Sequence, residues 1–250
     1  MRLCQSHAEV CCCGRLADAA LLVCDDDYLT VAHLVFSLVL SKDCSQTGNL
    51  QNAGIQVADE LHLGIFLASP AVLAETQGYS GIGSCPGYIQ IMIAPNAYSI
   101  PRLPSCVAHE FHHNVLFHHV KWNFMNVSLS QYLAVEGLAG SFMSDLYGEE
   151  FVGPWVTNTN ETNLKKASAV IGRDIDVEGF MEVRKYMYRD HPMVLEGKAL
   201  GIPYRAGYAV GYHVEQSYLR KTAKTVEEAT KAFIDGEDIG KHAEYFCDKR

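Results

Sequence analysis

Residues 105–119, SCVAHEFHHNVLFHH, hold five of the chain's eleven histidines and one carboxylate. Within this segment His109, Glu110 and His113 form the pattern HExxH. On a helix, positions i and i+4 lie one turn apart on one face, with Cβ atoms about 5–6 Å apart. Two imidazoles so placed can bind one zinc ion, while Glu110 can accept the proton of an attacking water. The pattern therefore predicts a metal site that carries out hydrolysis.

Glu136, in the stretch QYLAVEGLAGSF, is the candidate for a third zinc ligand. A helix, a turn and a returning helix fit the span from His113 and would bring this carboxylate beside the two histidines. Small residues follow it and would let the second helix approach closely. A glutamate on a solvated face is the alternative, but its neighbours are apolar, and a buried carboxylate needs a partner charge. We therefore predict Glu136 as the third ligand.

The remaining histidines of the segment do not fit the i, i+4 pair with His109. Helix geometry predicts surface or rim positions for His112, His118 and His119. A histidine at the rim of the site could still contact a substrate.

The site needs a helix and a sheet to position it, and the sequence predicts both. The strands are expected at 64–69 (GIFLAS) and at 88–95 (YIQIMIAP), because both runs are apolar or alternating and end near proline. The glycine-rich stretch 78–87 is expected to be a loop or hairpin end. A helix is predicted over the HExxH segment, starting near Pro104. Residues 16–41 are expected to be largely helical.

The second half of the chain is predicted to be mostly helical. Capping boxes at Ser128 and Thr225 open two helices, and a third covers 204–221. These elements predict an α+β fold in which a small mixed sheet and the HExxH helix are followed by helices. We expect a single domain over 1–250, with an α/β part at 1–127 and a helical part at 128–250 that carries the third ligand.

Composition excludes several classes of protein. The 250 residues are 48% hydrophobic and carry a formal net charge of −9, which disfavours nucleic acid as a partner. No run reaches the ~20 apolar residues of a membrane span, and the N-terminus does not read as a signal peptide. Nine cysteines without any CxxC pair favour free thiols, and hence a cytoplasmic location. Cys11, Cys12 and Cys13 are interpreted as tolerated thiols rather than a metal site.

Several further motifs give the chain a family resemblance. They are GYSGIG (78–83), PGYIQI (86–91), LP (103–104), AHEFHH (108–113), EGLA (136–139) and GYAVGY (207–212). Together they resemble the YjaZ-like predicted Zn-dependent proteases, DUF2268, a gluzincin-type group of metallopeptidases. The resemblance implies a zincin-like core with His109, His113 and Glu136 as zinc ligands and Glu110 as the catalytic base. It also implies a peptide or protein substrate that lies along the edge strand before the zinc helix, which we expect to be 88–95.

One position departs from the well-studied gluzincins. They often carry an aspartate four residues after the glutamate ligand, where it orients the first histidine, and here that position is Gly140. Asp145 is out of phase on the helix, so we expect the orienting hydrogen bond to come from a backbone carbonyl or another helix.

The tetrahedral oxyanion of peptide hydrolysis needs a hydrogen-bond donor besides the metal. The segment GYAVGYHVEQSYL offers several, and we predict Tyr208 as this donor, with His213 in reserve. Tyr204, Tyr208 and Tyr212 recur every four residues, so core packing is expected for at least two of them.

Besides a histidine-rich helical protein with no specific metal, two other functions stay open at this stage. A zinc-binding module without catalysis is one, although a structural site usually closes with four protein ligands. A zinc hydrolase of non-peptide amides or esters is the other. Substrate, cleavage preference, physiological role and oligomeric state do not follow from the sequence.

Overall fold

The computed structural model describes residues 33–39, 45–58, 60–188, 200–242 and 245–246. Contacts divide the chain into two compact units, Met1–Val115 and Leu116–Arg250, and the border between them falls within one helix. The predicted cysteine run 11–13 and the first part of the predicted helix 16–41 lie outside the described residues. The single-domain organisation stays a prediction.

The first unit contains a mixed sheet followed by the HExxH helix. Its elements are β1 (His33–Val39), α1 (Ser45–Asn52), β2 (Glu60–Leu67), β3 (Tyr79–Cys85), β4 (Tyr88–Ile93) and α2 (Leu103–His119). The strand order is β1-β2-β4-β3, with β2 and β4 parallel and the two outer pairings antiparallel. Alternate residues of β4, among them Ile89, Ile91 and Ile93, are buried and form part of the core. The predicted strands at 64–69 and 88–95 are therefore confirmed.

The helix predicted over 16–41 is wrong for residues 33–39. This run forms β1, which pairs antiparallel with β2 along its whole length. A short apolar run fits a buried helix or a buried strand equally well by periodicity. Pairing with β2, which is distant in sequence, decides between the two.

The glycine-rich stretch also differs from the expectation. Residues 79–85 form strand β3 rather than a loop, and only residues 86–87 turn the chain into β4. As a result β4 lies between β2 and β3, so the prediction that 88–95 is an edge strand is wrong. Among the described strands, β3 is the edge on that side of the sheet.

The second unit is helical. It contains α3 (Leu129–Tyr147), α4 (Pro154–Thr157), α5 (Glu161–Arg173), α6 (Phe180–Met187), α7 (Ala206–Thr222) and α8 (Val226–Ile234). Helices α3 and α7 meet at two glycines. A Cβ on Gly137 would lie 2.4 Å from the carbonyl oxygen of Gly211, and one on Gly211 would lie 2.6 Å from that of Leu133. Only glycine allows two helix backbones to approach so closely.

Local signals in the second half are confirmed. Ser128 and Thr225 each cap a helix in a complete capping box, with Gln131 and Glu228 as the reciprocal partners. The α+β class is confirmed, with a small mixed sheet, a helix carrying HExxH and a helical second half in the zincin-like order. Within the described ranges, no helix combines the length and apolar character needed to cross a bilayer.

Candidate metal centre

Helix α2 brings the two motif histidines together. The Nε2 atoms of His109 and His113 lie 3.1 Å apart, and their rings meet edge to face with centroids 4.7 Å apart. Two ligand atoms on a tetrahedral zinc with bonds of ~2.0–2.1 Å lie roughly 3.3 Å apart. Both histidines are buried, so the pair has the spacing and the dry surroundings of a metal-binding pair.

Glu136 on α3 completes the predicted group. Three possible ligand atoms lie within 4.8 Å of one another, one each from His109, His113 and Glu136. Two imidazoles and one carboxylate are a donor set that binds zinc and leaves its fourth position open. The three side chains could therefore hold a zinc ion, and their role as ligands stays a prediction.

Glu110 is buried against the glycines of β3. A Cβ on Gly81 would lie 2.4 Å from Cγ and 2.5 Å from Oε1 of Glu110, and one on Gly83 would lie 2.0 Å from its backbone oxygen. The two glycines point at α2 because alternate residues of a strand share one face. They let the helix lie against the strand and leave space for the carboxylate. The two glycines spaced two residues apart could have indicated this contact, because both lie on one face of a strand.

Cys106 lies one turn before Glu110 and is also buried. Burial, and next the negative charge of Glu110, raise the pKa of the Cys106 thiol well above its usual value. The thiol is therefore held in its neutral form, which is a poor nucleophile and a poor metal ligand.

Asn114, one residue after the second histidine, fastens α2 to the β3–β4 hairpin. Its amide oxygen accepts a hydrogen bond of 3.0 Å from the Gly87 N–H. Its amide nitrogen lies 2.7 Å, 3.0 Å and 3.3 Å from the carbonyl oxygens of Cys85, Tyr88 and Gly83. Sequence reasoning missed this residue, because an asparagine beside HExxH carries no signal of its own.

The sequence predicted a surface or rim position for His112, and this prediction is wrong. His112 is fully buried, and burial, followed by the neighbouring imidazoles of His113 and His109, lowers its pKa well below the usual value. His112 is therefore a neutral core histidine, because α2 is covered on more than the face that carries His109. His118 is exposed and His119 half-buried, in agreement with the expectation for these two.

The predicted oxyanion donors lie on α7. Tyr208 is half-buried, and burial raises the pKa of its hydroxyl well above the usual value, with further contributions from Tyr188, Glu136 and Tyr132. His213 is half-buried too, and its ring packs on that of Tyr212 at 5.5 Å.

Tyr212, another tyrosine of the predicted stripe, packs against α3. The Tyr212 hydroxyl donates to Ser144 Oγ at 3.3 Å. The Tyr212 ring also occupies the space beside Gly140, where a Cβ would lie 3.1 Å from it. Asp145 lies on the exposed side of α3, and partial desolvation of its carboxyl, followed by the charge of Glu227, raises its pKa.

Two tyrosines that the sequence did not single out accompany Tyr208. The hydroxyls of Tyr132 on α3 and Tyr188, which follows α6, lie 2.7 Å apart. Tyr188 also hydrogen-bonds to Tyr208, and the two rings meet at 5.7 Å. The charge of Glu136 raises the pKa of all three hydroxyls, although burial is the larger cause for each.

Comparison with known proteins assigns the chain to a family. A protein of Bacillus subtilis (strain 168), the uncharacterized protein YjfC, is 44% identical over 175 residues, which cover 70% of this chain and 58% of the Bacillus protein. The chain therefore spans less than two thirds of the length of this relative. No solved structure matches. The model of a family described as predicted Zn-dependent protease, DUF2268, matches residues 41–239. Because that match covers most of its length, the chain belongs to the DUF2268 family of predicted Zn-dependent proteases.

Proposed function

We propose that this chain is a zinc-dependent metallopeptidase that hydrolyses peptide bonds, with His109, His113 and Glu136 as the zinc ligands. The observation that carries the proposal is the convergence of these three donors within 4.8 Å. A zinc ion held there lowers the pKa of a coordinated water toward ~7 and polarises the substrate carbonyl. Membership of a family described as predicted Zn-dependent protease supports the same reaction.

Glu110 acts as the general base in this proposal. Its carboxylate accepts the proton of the attacking water and later passes it to the leaving amine. It is buried and lies directly against Gly81 of β3, so its position is fixed by the sheet rather than by solvent. Water exclusion around the carboxylate strengthens its interaction with a developing positive charge.

The substrate is a peptide whose main chain pairs with the edge of β3 that no described strand covers. This assignment replaces 88–95, because β4 is already bonded on both sides. Strand β3 contacts Glu110 directly, so a peptide added to its edge would pass beside the base. Ile82, whose side chain is 47% exposed, offers an apolar contact between the two glycines. A cytoplasmic location and the absence of a nucleic-acid partner stay predictions.

The oxyanion requires a donor, and the second unit offers tyrosine hydroxyls near Glu136. Tyr208 stays the predicted donor with His213 in reserve, and the charge of Glu136 acts on the Tyr208 hydroxyl. Such a donor would act on the charge that develops in the transition state.

The test compares two variants of α2. Glu110→Gln is expected to keep one zinc per chain and to lose at least about 10²-fold in kcat/KM, because the base is gone. His113→Ala is expected to lose both zinc and activity. Zinc is measured by elemental analysis, and cleavage with labelled casein, quenched peptides and small amides and esters.

His118→Ala is the matched control, because it removes an exposed histidine from the same helix. It should change neither zinc content nor cleavage. Full cleavage by Glu110→Gln with stoichiometric zinc would remove Glu110 from the mechanism. Cleavage of small amides or esters but of no peptide would redefine the substrate.

A further inference from the structure

Three aromatic rings form a row between helices α2 and α3. Phe117 belongs to α2, Tyr132 to α3, and Trp122 to the connection between the two helices. The Trp122 ring meets that of Phe117 at 5.1 Å and that of Tyr132 at 5.6 Å, edge to face in both cases. All three residues belong to the second unit. The row therefore joins one helix to the next within that unit.

Each end of the row is one helical turn from a predicted zinc ligand. Phe117 follows His113 by four residues on α2, and Tyr132 precedes Glu136 by four residues on α3. Side chains four residues apart on a helix lie on one face, with Cβ atoms about 5–6 Å apart. The ligand atoms of His113 and Glu136 lie within 4.8 Å of each other. The row is therefore next to the metal group on both helices.

Two phenylalanines continue the row to an exposed edge. The Phe180 ring stacks on that of Tyr132 with centroids 6.3 Å apart, and the Phe124 ring meets that of Phe180 at 5.2 Å. Tyr132 is buried and Phe180 half-buried, whereas Phe124 is 56% exposed. We call the five rings the aromatic surface: Phe117, Trp122, Phe124, Tyr132 and Phe180.

The residues that follow Phe124 and Phe180 in the chain, Met125 and Met181, are 85% and 59% exposed. The outer edge of the aromatic surface is thus accompanied by further apolar side chains in water. Contiguous exposed apolar groups indicate a binding site, whereas single exposed apolar residues are common on any protein.

Backbone hydrogen bonds hold the outer edge of the aromatic surface in place. The Phe180 N–H donates to the Phe124 carbonyl at 2.9 Å, and the Gly179 N–H donates to the Val127 carbonyl at 2.8 Å. The segment before α3 is thereby fixed to the start of α6. A site whose parts are already fixed loses less conformational entropy when it binds a ligand. The aromatic surface is therefore preformed.

We propose that the aromatic surface binds a large apolar side chain of the peptide substrate, on a residue next to the bond that is cleaved. This inference rests on the proposed peptidase function and names a substrate class for it. The occupant is a substrate side chain because the surface begins one helical turn from the metal group, where the scissile carbonyl binds. Aromatic side chains fit best, because rings pack edge to face or offset on other rings. Trp122 and Phe124 are thus specificity-determining residues.

The kinetic test uses quenched peptides that carry phenylalanine on one or the other side of the cleaved bond, or alanine on both. The wild type is expected to favour one phenylalanine peptide over the alanine peptide by about 10²-fold in kcat/KM. Phe124→Ala should lower this preference about tenfold, because an aromatic contact is lost. Both constants are measured on one preparation, so a fraction of unfolded chains cancels from their ratio.

Phe151→Ala is the matched control. Phe151 is a half-buried phenylalanine of the same unit, and its ring packs on that of Tyr147 at 6.2 Å. Tyr147 lies at the far end of α3, about 16 Å along the helix axis from Glu136. The control should leave the preference for phenylalanine unchanged. Zinc content should stay at one per chain in both variants, because neither residue belongs to the metal group.

A second measurement needs neither metal nor cleavage. The chain has two tryptophans, so Trp155→Phe leaves Trp122 as the only one. In this metal-free variant, a blocked peptide with p-nitrophenylalanine, which quenches tryptophan fluorescence, should quench Trp122 in a saturable way. The phenylalanine peptide should relieve the quenching at about tenfold lower concentration than the alanine peptide. Adding Phe124→Ala should weaken binding of the quencher about tenfold.

The outcomes distinguish the inference from the function on which it rests. An equal preference in wild type and Phe124→Ala, or equal competition by the phenylalanine and alanine peptides, would overturn the inference while the peptidase stands. Selective quenching in a protein that binds no zinc and cleaves no peptide would overturn the proposed function, and the substrate role with it. Dimers in sedimentation velocity that Phe124→Ala abolishes, with no change in peptide preference, would assign the surface to a second copy of this chain instead.

Discussion

A glycine packs against a glutamate in each unit, and the two contacts differ. In the first unit Gly81 faces the carboxylate end of Glu110, with a Cβ position 2.4 Å from Cγ and 2.5 Å from Oε1. In the second unit Gly137 faces the backbone of Gly211 at 2.4 Å and only the Cβ of Glu215 at 3.1 Å. The first glycine makes room for a functional group, and the second makes room for a helix.

The two glutamates differ in the same way. Glu110 belongs to the HExxH motif beside two histidines, whereas both carboxylate oxygens of Glu215 are buried with no hydrogen-bond partner in the described part of the chain. Burial, followed by the charge of Glu237, raises the pKa of Glu215 to about 8. We therefore predict that a methyl group at Gly81 displaces the Glu110 carboxylate, whereas one at Gly137 disturbs the packing of two helices.

The largest effect is expected from Gly137→Ala. A new methyl group would meet helix backbone, which cannot rotate away, so the free energy of unfolding should fall by about 3 kcal/mol or more. Denaturant unfolding followed by circular dichroism measures it. Gly48→Ala is the control, since a Cβ on Gly48 meets nothing within 4 Å. Equal stability of Gly137→Ala and Gly48→Ala would contradict the close contact of α3 and α7.

Gly81→Ala should act on catalysis more than on folding. The new methyl group meets the end of a flexible side chain, so the Glu110 carboxylate shifts, and a displacement of this size costs about 10²-fold in kcat/KM. Zinc content should stay at one per chain, and unfolding should change little. The comparison fails if Gly81→Ala unfolds the protein as readily as Gly137→Ala does.

Glu215→Gln should change how stability depends on pH. The folded protein retains a proton on Glu215 up to about pH 8, while the unfolded chain releases it near the ordinary value of 4.5. Wild-type stability therefore decreases as pH rises through this window, by up to about 1.4 kcal/mol per pH unit from this group. The variant should gain about 2 kcal/mol relative to wild type between pH 5.5 and pH 7.

Urea unfolding at several pH values measures this difference, with Glu161→Gln as control because Glu161 is an exposed glutamate of the same unit. A difference between Glu215→Gln and wild type that does not change with pH would show that Glu215 ionises normally in the folded state.

The smallest effect is expected from Glu237→Gln. Glu237 is half-exposed and accepts bonds from Tyr218 and Lys224. Its negative charge raises the pKa of Glu215, while Lys224 lowers it. Removing the charge should therefore move the Glu215 transition to slightly lower pH in the same urea series. A transition that moves to higher pH would contradict this arrangement.

Motifs with local causes predicted much of the molecule. The HExxH spacing predicted α2 and its histidine pair. The capping boxes at Ser128 and Thr225 predicted where α3 and α8 begin. Each of these signals depends only on residues that are close in sequence. Glu136 could also be predicted as a candidate ligand, since a helix, a turn and a returning helix fit the span from His113. The family resemblance is confirmed by the match over residues 41–239.

The wrong predictions concern features that depend on contacts between residues far apart in the sequence. Strand β1 is decided by pairing with β2, and the position of β4 inside the sheet by the return of β3. Glycines in β3 indicated a loop, yet they serve the contact with Glu110. Tyr188 lies in a polar stretch without a motif, and its contact with the Tyr132 hydroxyl depends on a residue distant in sequence.

The amide of Asn114 has a consequence for movement within the first unit. It bonds to four backbone groups of the β3–β4 hairpin directly after the second histidine of α2. These hydrogen bonds hold the hairpin against the helix. The hairpin therefore cannot move outward to admit a peptide without breaking them. A single-atom exchange, Asn114→Asp, would set a carboxylate against three carbonyl oxygens and release the hairpin from the helix.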